Sequence, residues 1–372
     1  MTHMDSDPAS LLLQVQDWLL RRVPPSGVRR VLPVLAALGS DVGVIRKENQ
    51  DRVALVRGRD DLGHTYVVVA LSDGIGGMRD GAQCAALTVS AVFDAVHRLA
   101  SSGEPPSKWA TNAMNSANEA VRKAYGGAGG ATLVLLLMTE KEGAYWASVG
   151  DSRLYLSKGE SLVQISTDDT IAGQLGRPAG SDIEQGKLLQ YIGMEGPLEF
   201  EVAKLLCSTD DTAILTTDGV HFLDSDSDVM SLVVRHAPDI GVAARRLTEL
   251  ARWAGGPDNA TAAVVSLDSA LYESPPTYAC LDIWDPFGEI RIPLVHRDNQ
   301  QVMASGAVSK RPQVAESEVS IKDDAVTQPV VEDEDVPPKK KGGKSKPKKR
   351  KPRAPRSGSA PQVQLEFSNK KS

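Results

Sequence analysis

The chain has 372 residues, 41% hydrophobic and 24% charged, which supports one large core or two average ones. No apolar run approaches the ~18–20 residues needed to span a bilayer, and the polar, acidic opening MTHMDSDPAS is unlike a secretory leader, so a cytoplasmic setting is expected. The net charge of −6 hides 11 Lys or Arg between Lys339 and Arg356; the remainder, with 31 basic against 48 acidic residues, carries −17, which repels nucleic acid and suits cations.

In chain order, residues 1–36 read as a helical leader, with Leu12, Val15 and Leu19 at helical spacing in LLLQVQDWLLRR and Pro33 ending any continuation. From 37 to 270 the texture is that of a folded domain. Strand-like runs occur at Val53–Val56, Tyr66–Leu71, Ala131–Met138, Ala144–Val149, Arg153–Leu156, Ala213–Thr216 and Ala260–Leu267. Two amphipathic helices stand between the early strands. Ala85, Val89, Val92, Val96 and Leu99 mark one face, and Trp109, Ala113, Ala117, Val121 and Ala124 the other. A third helix is expected over Val242–Trp253, and the hairpin-sized link at Thr139–Gly143 favours antiparallel pairing. Helices covering sheets without a regular βαβ alternation indicate an α+β layered domain.

Residues 271–304 form a strand-like extension, in which Ile283-Trp284 and Ile290–Val295 alternate as strands do. Beyond 305 the composition turns to Ser, Glu, Asp, Pro, Lys and Gly, a tail expected to be disordered. The basic run Lys339–Arg356 has no aromatic residue to stack on bases. It suits an acidic partner or nucleic acid bound without sequence preference, or equally a solubilising tail that folds back on its acidic neighbours. Near the end, Val363–Phe367 alternates like a strand that could add to a partner's sheet edge.

The chemistry-bearing pattern is a carboxylate repeatedly set at a strand end beside glycine or in a tight turn. Asp73 follows VVVALS and precedes Gly74, Gly76 and Gly77; Asp151 sits in VGDSR between two strands; Asp218 follows AILTT; Asp258 stands just before the last strand of the domain. A lone Asp-Gly is more often a turn than a ligand. Four such carboxylates converging would repel one another unless cations neutralised them, and an all-oxygen set suits Mg²⁺ or Mn²⁺.

The ordered set IRKENQD, SDGIGG, GGATL, VGDSR, TTDG and PDNAT closely resembles the type 2C, metal-dependent serine/threonine protein phosphatases in their bacterial form. The resemblance spans roughly residues 37–270. It implies two antiparallel sheets in a four-layer α-β-β-α sandwich, with Mn²⁺ or Mg²⁺, two ions and a third looser one, at one edge. It further implies that Asp73 bridges two ions with the Gly74 carbonyl completing one of them, that Asp218 and Asp258 hold the first, and that Asp151 holds the third. Arg46 matches the arginine that grips the substrate phosphate, Asp51 the carboxylate on metal-bound water, and Asn259 a supporting residue beside the last ligand. The implied activity is hydrolysis of phosphoserine and phosphothreonine in proteins by a metal-bridging hydroxide, opposing a Ser/Thr kinase. A low-turnover phosphoprotein-binding scaffold with the same fold is the alternative.

Three positions depart from that pattern. Gln50 stands where many eukaryotic relatives carry glutamate, Ile75 where they carry a histidine, and Asp169 where relatives often carry a histidine. No direct ligand is lost by these changes. The segment Ile171–Leu206, rich in glycine, is expected to be the flap beside the site, with Arg177 and Lys187 as candidates for reading the substrate. Cys207 is expected to be structural, in an apolar turn.

Overall fold

The computed structural model describes residues 10–159, 161–175, 187–224, 228–268 and 280–294. Helix α1 (Leu11–Leu19) leads into strands β1 (Ser26–Val31) and β2 (Ala36–Asp41), then the hairpin β3 (Arg52–Arg59) and β4 (Thr65–Ser72). Helices α2 (Gly81–Ala100) and α3 (Pro106–Tyr125) follow, then β5 (Leu133–Thr139), β6 (Gly143–Val149), β7 (Arg153–Lys158) and β8 (Ser161–Gln164). The rest comprises α4 (Ile171–Gln174), β9 (Ala203–Lys204), β10 (Thr212–Thr216), α5 (Asp218–His221), α6 (Val229–His236), α7 (Ile240–Trp253), β11 (Ala260–Ser266) and a hairpin of β12 (Cys280–Asp285) and β13 (Gly288–Pro293).

The strands form two antiparallel sheets, one ordered β1-β2-β11-β10-β7-β8 and the other β13-β12-β3-β4-β5-β6-β9. The period-2 geometry of a strand explains how they stack. In β4, Val67, Val69 and Leu71 point into the layer between the sheets, while Tyr66, Val68 and Ala70 meet α2 and α3. In β11, Ala263 and Val265 face that inner layer, and Ala262 and Val264 meet α7. Both faces of the central strands are therefore covered, which is why β4 and β5 read as unbroken apolar runs. The result is the four-layer α-β-β-α sandwich expected from the sequence.

Helix α3 starts on Pro106, a ring that fits the first helical turn, and ends at Gly126 with φ +56°. Helix α7 is capped by Asp239, whose carboxylate accepts from Val242 N at 3.0 Å. Val15 and Leu19 of α1 are buried in the same core as α2 and α3. Beyond α1, the segment read as a leader supplies an edge strand, β1, fully registered on β2 from Ser26↔Asp41 to Val31↔Ala36. The strand-like extension likewise joins a sheet, with Ile283↔Val56 and Trp284↔Leu55 pairing β12 to β3. Strand pairing thus crosses both boundaries drawn from composition, at 36 and at 270. β12 and β3 are far apart in the sequence, and pairing at that distance leaves no local signal. The acidic and basic tail, Val363–Phe367 and Arg177 lie outside the described residues.

Candidate metal centre

The strand registers bring the acidic motifs to one end of the sandwich. Ser72 pairs with Arg52, so Asp73 leaves β4 where Asp51 enters β3. Thr216 pairs with Ala262 and with Arg153, so Asp218 leaves β10 where β11 and β7 begin, next to Asp258 and Asp151. Asp151 lies in the link by which the chain passes from β6 in one sheet to β7 in the other. Asp51 and Asp73 are thus carried by one sheet, Asp218 and Asp258 by the other.

Two glycines allow this convergence. A Cβ on Gly74 would stand 2.2 Å from the Gly81 carbonyl oxygen at the start of α2, and one on Gly219 would stand 1.8 Å from the Asn259 carbonyl oxygen. Neither position tolerates a side chain, because backbone approaches backbone there.

A hydroxyl network holds the carboxylates. Thr132, from GGATL, accepts from Asp73 N at 2.9 Å, donates its own N–H to the Asp73 carbonyl at 2.8 Å, and shares a 2.7 Å bond with Ser152 of VGDSR. Thr217 donates to Asp51 Oδ2 at 3.0 Å and accepts from Thr261 N at 3.0 Å. Ser40 joins Thr261 at 2.8 Å and accepts from Asn49 Nδ2 at 2.8 Å. Sequence reasoning missed these threonines and serines, although Thr132, Ser152, Thr217 and Thr261 all lie inside the quoted motifs. A hydroxyl directly beside Asp73, Asp151 and Asp218, in Ser72, Ser152 and Thr217, was the available signal.

Asn259 staples the loop that carries Arg46 and Asp51. Its Oδ1 accepts from Gln50 N at 2.8 Å, and its Nδ2 donates to the carbonyls of Val42 and Glu48, both at 2.9 Å. The Gln50 amide packs against Gly81 at the start of α2. Arg46 is partly exposed, lies against Gly76, and reaches Asp258 Oδ2 with Nη2 at 2.6 Å. Asp169, the replacement for a histidine, accepts from Gly150 N at 2.9 Å and from Gln190 Nε2 at 3.1 Å, tying the Asp151 turn to residues 187–206. Its neighbour Asp168 accepts both ends of the Arg153 guanidinium, from Nε at 2.9 Å and from Nη2 at 2.7 Å. Lys187 is exposed, and so is Cys207, which does not occupy the expected apolar turn.

Electrostatically the cluster is overcharged. Burial pushes Asp51 up to about 7, helped by the charges on Asp218 and Asp258 and opposed by hydrogen bonds from Thr261 and Thr217. Burial, with Asp218 and Asp168, pushes Asp151 up to about 7 as well. Asp73 is raised well above the carboxylate range by burial and then by Asp51, Asp218, Asp151 and Asp258. Asp218 is raised by burial and by Asp258. Two buried oxygens in the cluster, Asp51 Oδ1 and Asp218 Oδ1, have no hydrogen-bond partner among the described residues.

An oxygen-only donor set with mutual repulsion and two orphaned buried oxygens fits hard divalent cations. The side chains are neighbours rather than a closed cage: among the described residues no three acidic, histidine or cysteine side chains already enclose an ion.

Comparison with known proteins agrees with this chemistry. The family profile described as protein phosphatase 2C matches residues 46–253, more than half of the chain. Protein phosphatase PhpP of Streptococcus pneumoniae is 28% identical over 245 residues, covering 62% of this chain and 97% of the relative. Among solved structures, PppA of Pseudomonas aeruginosa is 27% identical with a TM-score of 0.51, covering 66% of this chain and 98% of that one. The serine/threonine phosphatase PstP of Mycobacterium tuberculosis is 25% identical with a TM-score of 0.51, covering 65% and 99%. On motif order, fold and profile together, the chain belongs to the protein phosphatase 2C family.

Proposed function

We propose that the carboxylate cluster holds divalent metal, Mn²⁺ or Mg²⁺, and that the protein uses it to hydrolyse phosphoserine and phosphothreonine esters in other proteins, opposing a Ser/Thr kinase. The observation that carries this reading is the overcharged, hydroxyl-braced set Asp51, Asp73, Asp151 and Asp218, with its two unpartnered oxygens. Asp73, the Gly74 carbonyl, Asp218 and Asp258 would hold two ions, and Asp151 a third. Bound cations supply charge neutralisation at the phosphoryl oxygens and a water acidified toward neutrality.

The chain's own groups do the positioning. Arg46 stands at the rim between Gly76 and Asp258, where its planar fork can exchange the carboxylate for two oxygens of a substrate phosphate. Asp51 has Oδ2 committed to Thr217, which leaves Oδ1 to accept a hydrogen from the attacking water. Thr132 fixes Asp73, and Asp169 fixes the Asp151 turn, so the site is organised before substrate arrives. A covalent thiol route is disfavoured. Burial pushes Cys84 up to about 11 and raises Cys280, and partial desolvation with the nearby Asp211 charge raises the exposed Cys207, so none offers a ready thiolate. Among the described residues no helix is long and apolar enough to cross a membrane.

The test is hydrolysis of a phosphothreonine peptide with Mn²⁺ or Mg²⁺, comparing wild type with Asp73→Asn and Asp218→Asn. Loss of an outer-shell partner costs roughly 10–100-fold, so loss of a direct ligand is expected to cost at least about 100-fold. Metal-independent turnover, or turnover that survives both substitutions, contradicts the assignment. A folded wild type without turnover on several peptides points instead to a phosphoprotein-binding scaffold.

A further inference from the structure

Helix α1 and the β12–β13 hairpin both lie outside the segment matched by the family profile, residues 46–253. They are bolted to each other next to the catalytic loop. Arg21, just past the end of α1, makes a two-pronged bridge to Asp285 at the tip of the hairpin, Nη1 to Oδ2 at 2.7 Å and Nη2 to Oδ1 at 2.8 Å. Asp285 Oδ1 also accepts from the N–H groups of Phe287 and Gly288, at 2.8 and 2.7 Å, so the carboxylate shapes the turn as well. Arg21 stacks on Trp18 at 4.1 Å and donates to the Trp18 carbonyl at 2.7 Å.

Arg52 sits between this clasp and the site. Its Nε donates to the carbonyl of Leu19, the last residue of α1, at 3.0 Å. That oxygen is one of the carbonyls a helix leaves without an internal partner, at its negative pole. Arg52 Nη1 donates to the carbonyls of Asn49 at 2.9 Å and of Asp51 at 2.7 Å. One guanidinium thus joins the end of α1 to the backbone on both sides of Gln50. From there, Asn49 Oδ1 holds Asp51 N at 3.0 Å and Asn49 Nδ2 holds Ser40, completing a rigid support for the Asp51 carboxylate.

A cleft of about 420 Å³ opens beside the loop, bounded by residues 19–25, 47–49, 51–53 and 285–287, Asp51 and Arg52 among them. Without Arg52 the loop would have space to retreat into. An arginine placed here for stability alone would not need to join the carbonyl at the end of α1 to two carbonyls of the loop that carries Asp51.

We propose that Arg52 is a positioning residue that holds the Asn49–Asp51 loop from behind, and that the Arg21–Asp285 clasp holds Arg52 by fixing the end of α1. The inference rests on the metal-phosphatase reading of the same site. It assigns α1 and the hairpin a part in setting the metal affinity and turnover of a domain whose family profile includes neither.

The full chain is compared as wild type, Arg52→Ala, Arg52→Lys and the double variant R21A/D285A. Three measurements are made: Mn²⁺ binding by calorimetry without substrate, turnover of p-nitrophenyl phosphate, and thermal unfolding of the metal-free protein. The proposal expects Mn²⁺ affinity to fall about 10-fold or more in Arg52→Ala, in the range for residues that orient a ligand from outside. Arg52→Lys should recover only part, since an ammonium cannot span three carbonyls as a fork does. R21A/D285A should weaken Mn²⁺ binding in the same direction by a smaller factor. If Arg52→Ala does not fold, R21A/D285A decides, because its altered groups lie farther from the loop. Lowered unfolding temperatures with unchanged Mn²⁺ affinity and turnover in the folded variants would reduce the clasp to scaffolding and overturn the proposal. A wild type that binds no Mn²⁺ overturns the underlying reading instead, so the two failures are distinguishable.

Discussion

Two of the groups of buried acid among the described residues stand under opposite terms. On the β12–β13 hairpin, Asp282 is almost fully buried, and both its oxygens meet arginine: Oδ2 takes Arg57 Nη2 at 2.9 Å and Oδ1 takes Arg291 Nε at 2.6 Å. At the other end of β3, Asp51, Asp73, Asp151 and Asp218 are gathered with mutual repulsion, threonine hydroxyls for company, and one partly exposed arginine on Asp258. A buried carboxylate cancelled by a fixed cation is finished as structure. One left uncancelled keeps a demand that a proton or a mobile cation can meet.

Substitution should separate the two kinds. Asp282→Ala removes a carboxylate partner of the buried Arg57 and is expected to cost about 3–5 kcal/mol in urea unfolding, with turnover per folded molecule little changed. Asp218→Asn should do the reverse. It should leave the metal-free protein as stable as wild type or more so, since repulsion is relieved, while turnover collapses. Matching stability losses in both variants would erase the distinction.

A pH series sharpens it further. The folded-state values of Asp51 and Asp151 are raised from 3.8 to about 7, so their contribution to stability is whole below about 3.8 and is lost as pH rises through about 7. Relative to an Asp51→Asn variant, the metal-free wild type should therefore lose urea resistance between about pH 4 and pH 7, and saturating Mn²⁺ should abolish the difference. A pH-independent gap between the two proteins would mean that the carboxylates do not feel one another as described.

The smallest effect belongs to the braces. Thr217→Val deletes the donor to Asp51 Oδ2 and should cost about 1 kcal/mol, seen as a modest drop in unfolding midpoint. If the brace also sets the direction of Oδ1, the kcat of the variant falls while its KM for substrate stays. An unchanged kcat would leave Thr217 as packing alone.

The sequence announced the acidic positions and the layered class because both are local. Asp-Gly at a strand end and an amphipathic helix each fit within a few residues. The braces were not legible: Thr217 reaches Asp51 across 166 positions, and a threonine just past a strand end is equally well explained as the residue that starts the following helical turn. The same distance hid the role of Asn259, whose bonds to Val42 and Glu48 tie loops more than 200 residues apart. The edge strands escaped for another reason. SGVRRV in β1 is half exposed and charged, and nothing in it marks a sheet until β2 lies beside it. No motif singles out Arg21 or Arg52, and only the fold shows that they face backbone carbonyls and Asp285.

The division of the acidic motifs between the two sheets carries a mechanical consequence. Asp51 and Asp73 ride on one layer, Asp218 and Asp258 on the other, and the core between those layers is an apolar interface with no covalent tie except the chain itself. Under the proposed assignment, a cation held by both Asp73 and Asp218 would be a rivet through two plates. Amide exchange along β4 and β10 should then slow together on addition of Mn²⁺, and sliding of one sheet over the other would be the motion that a bound ion forbids.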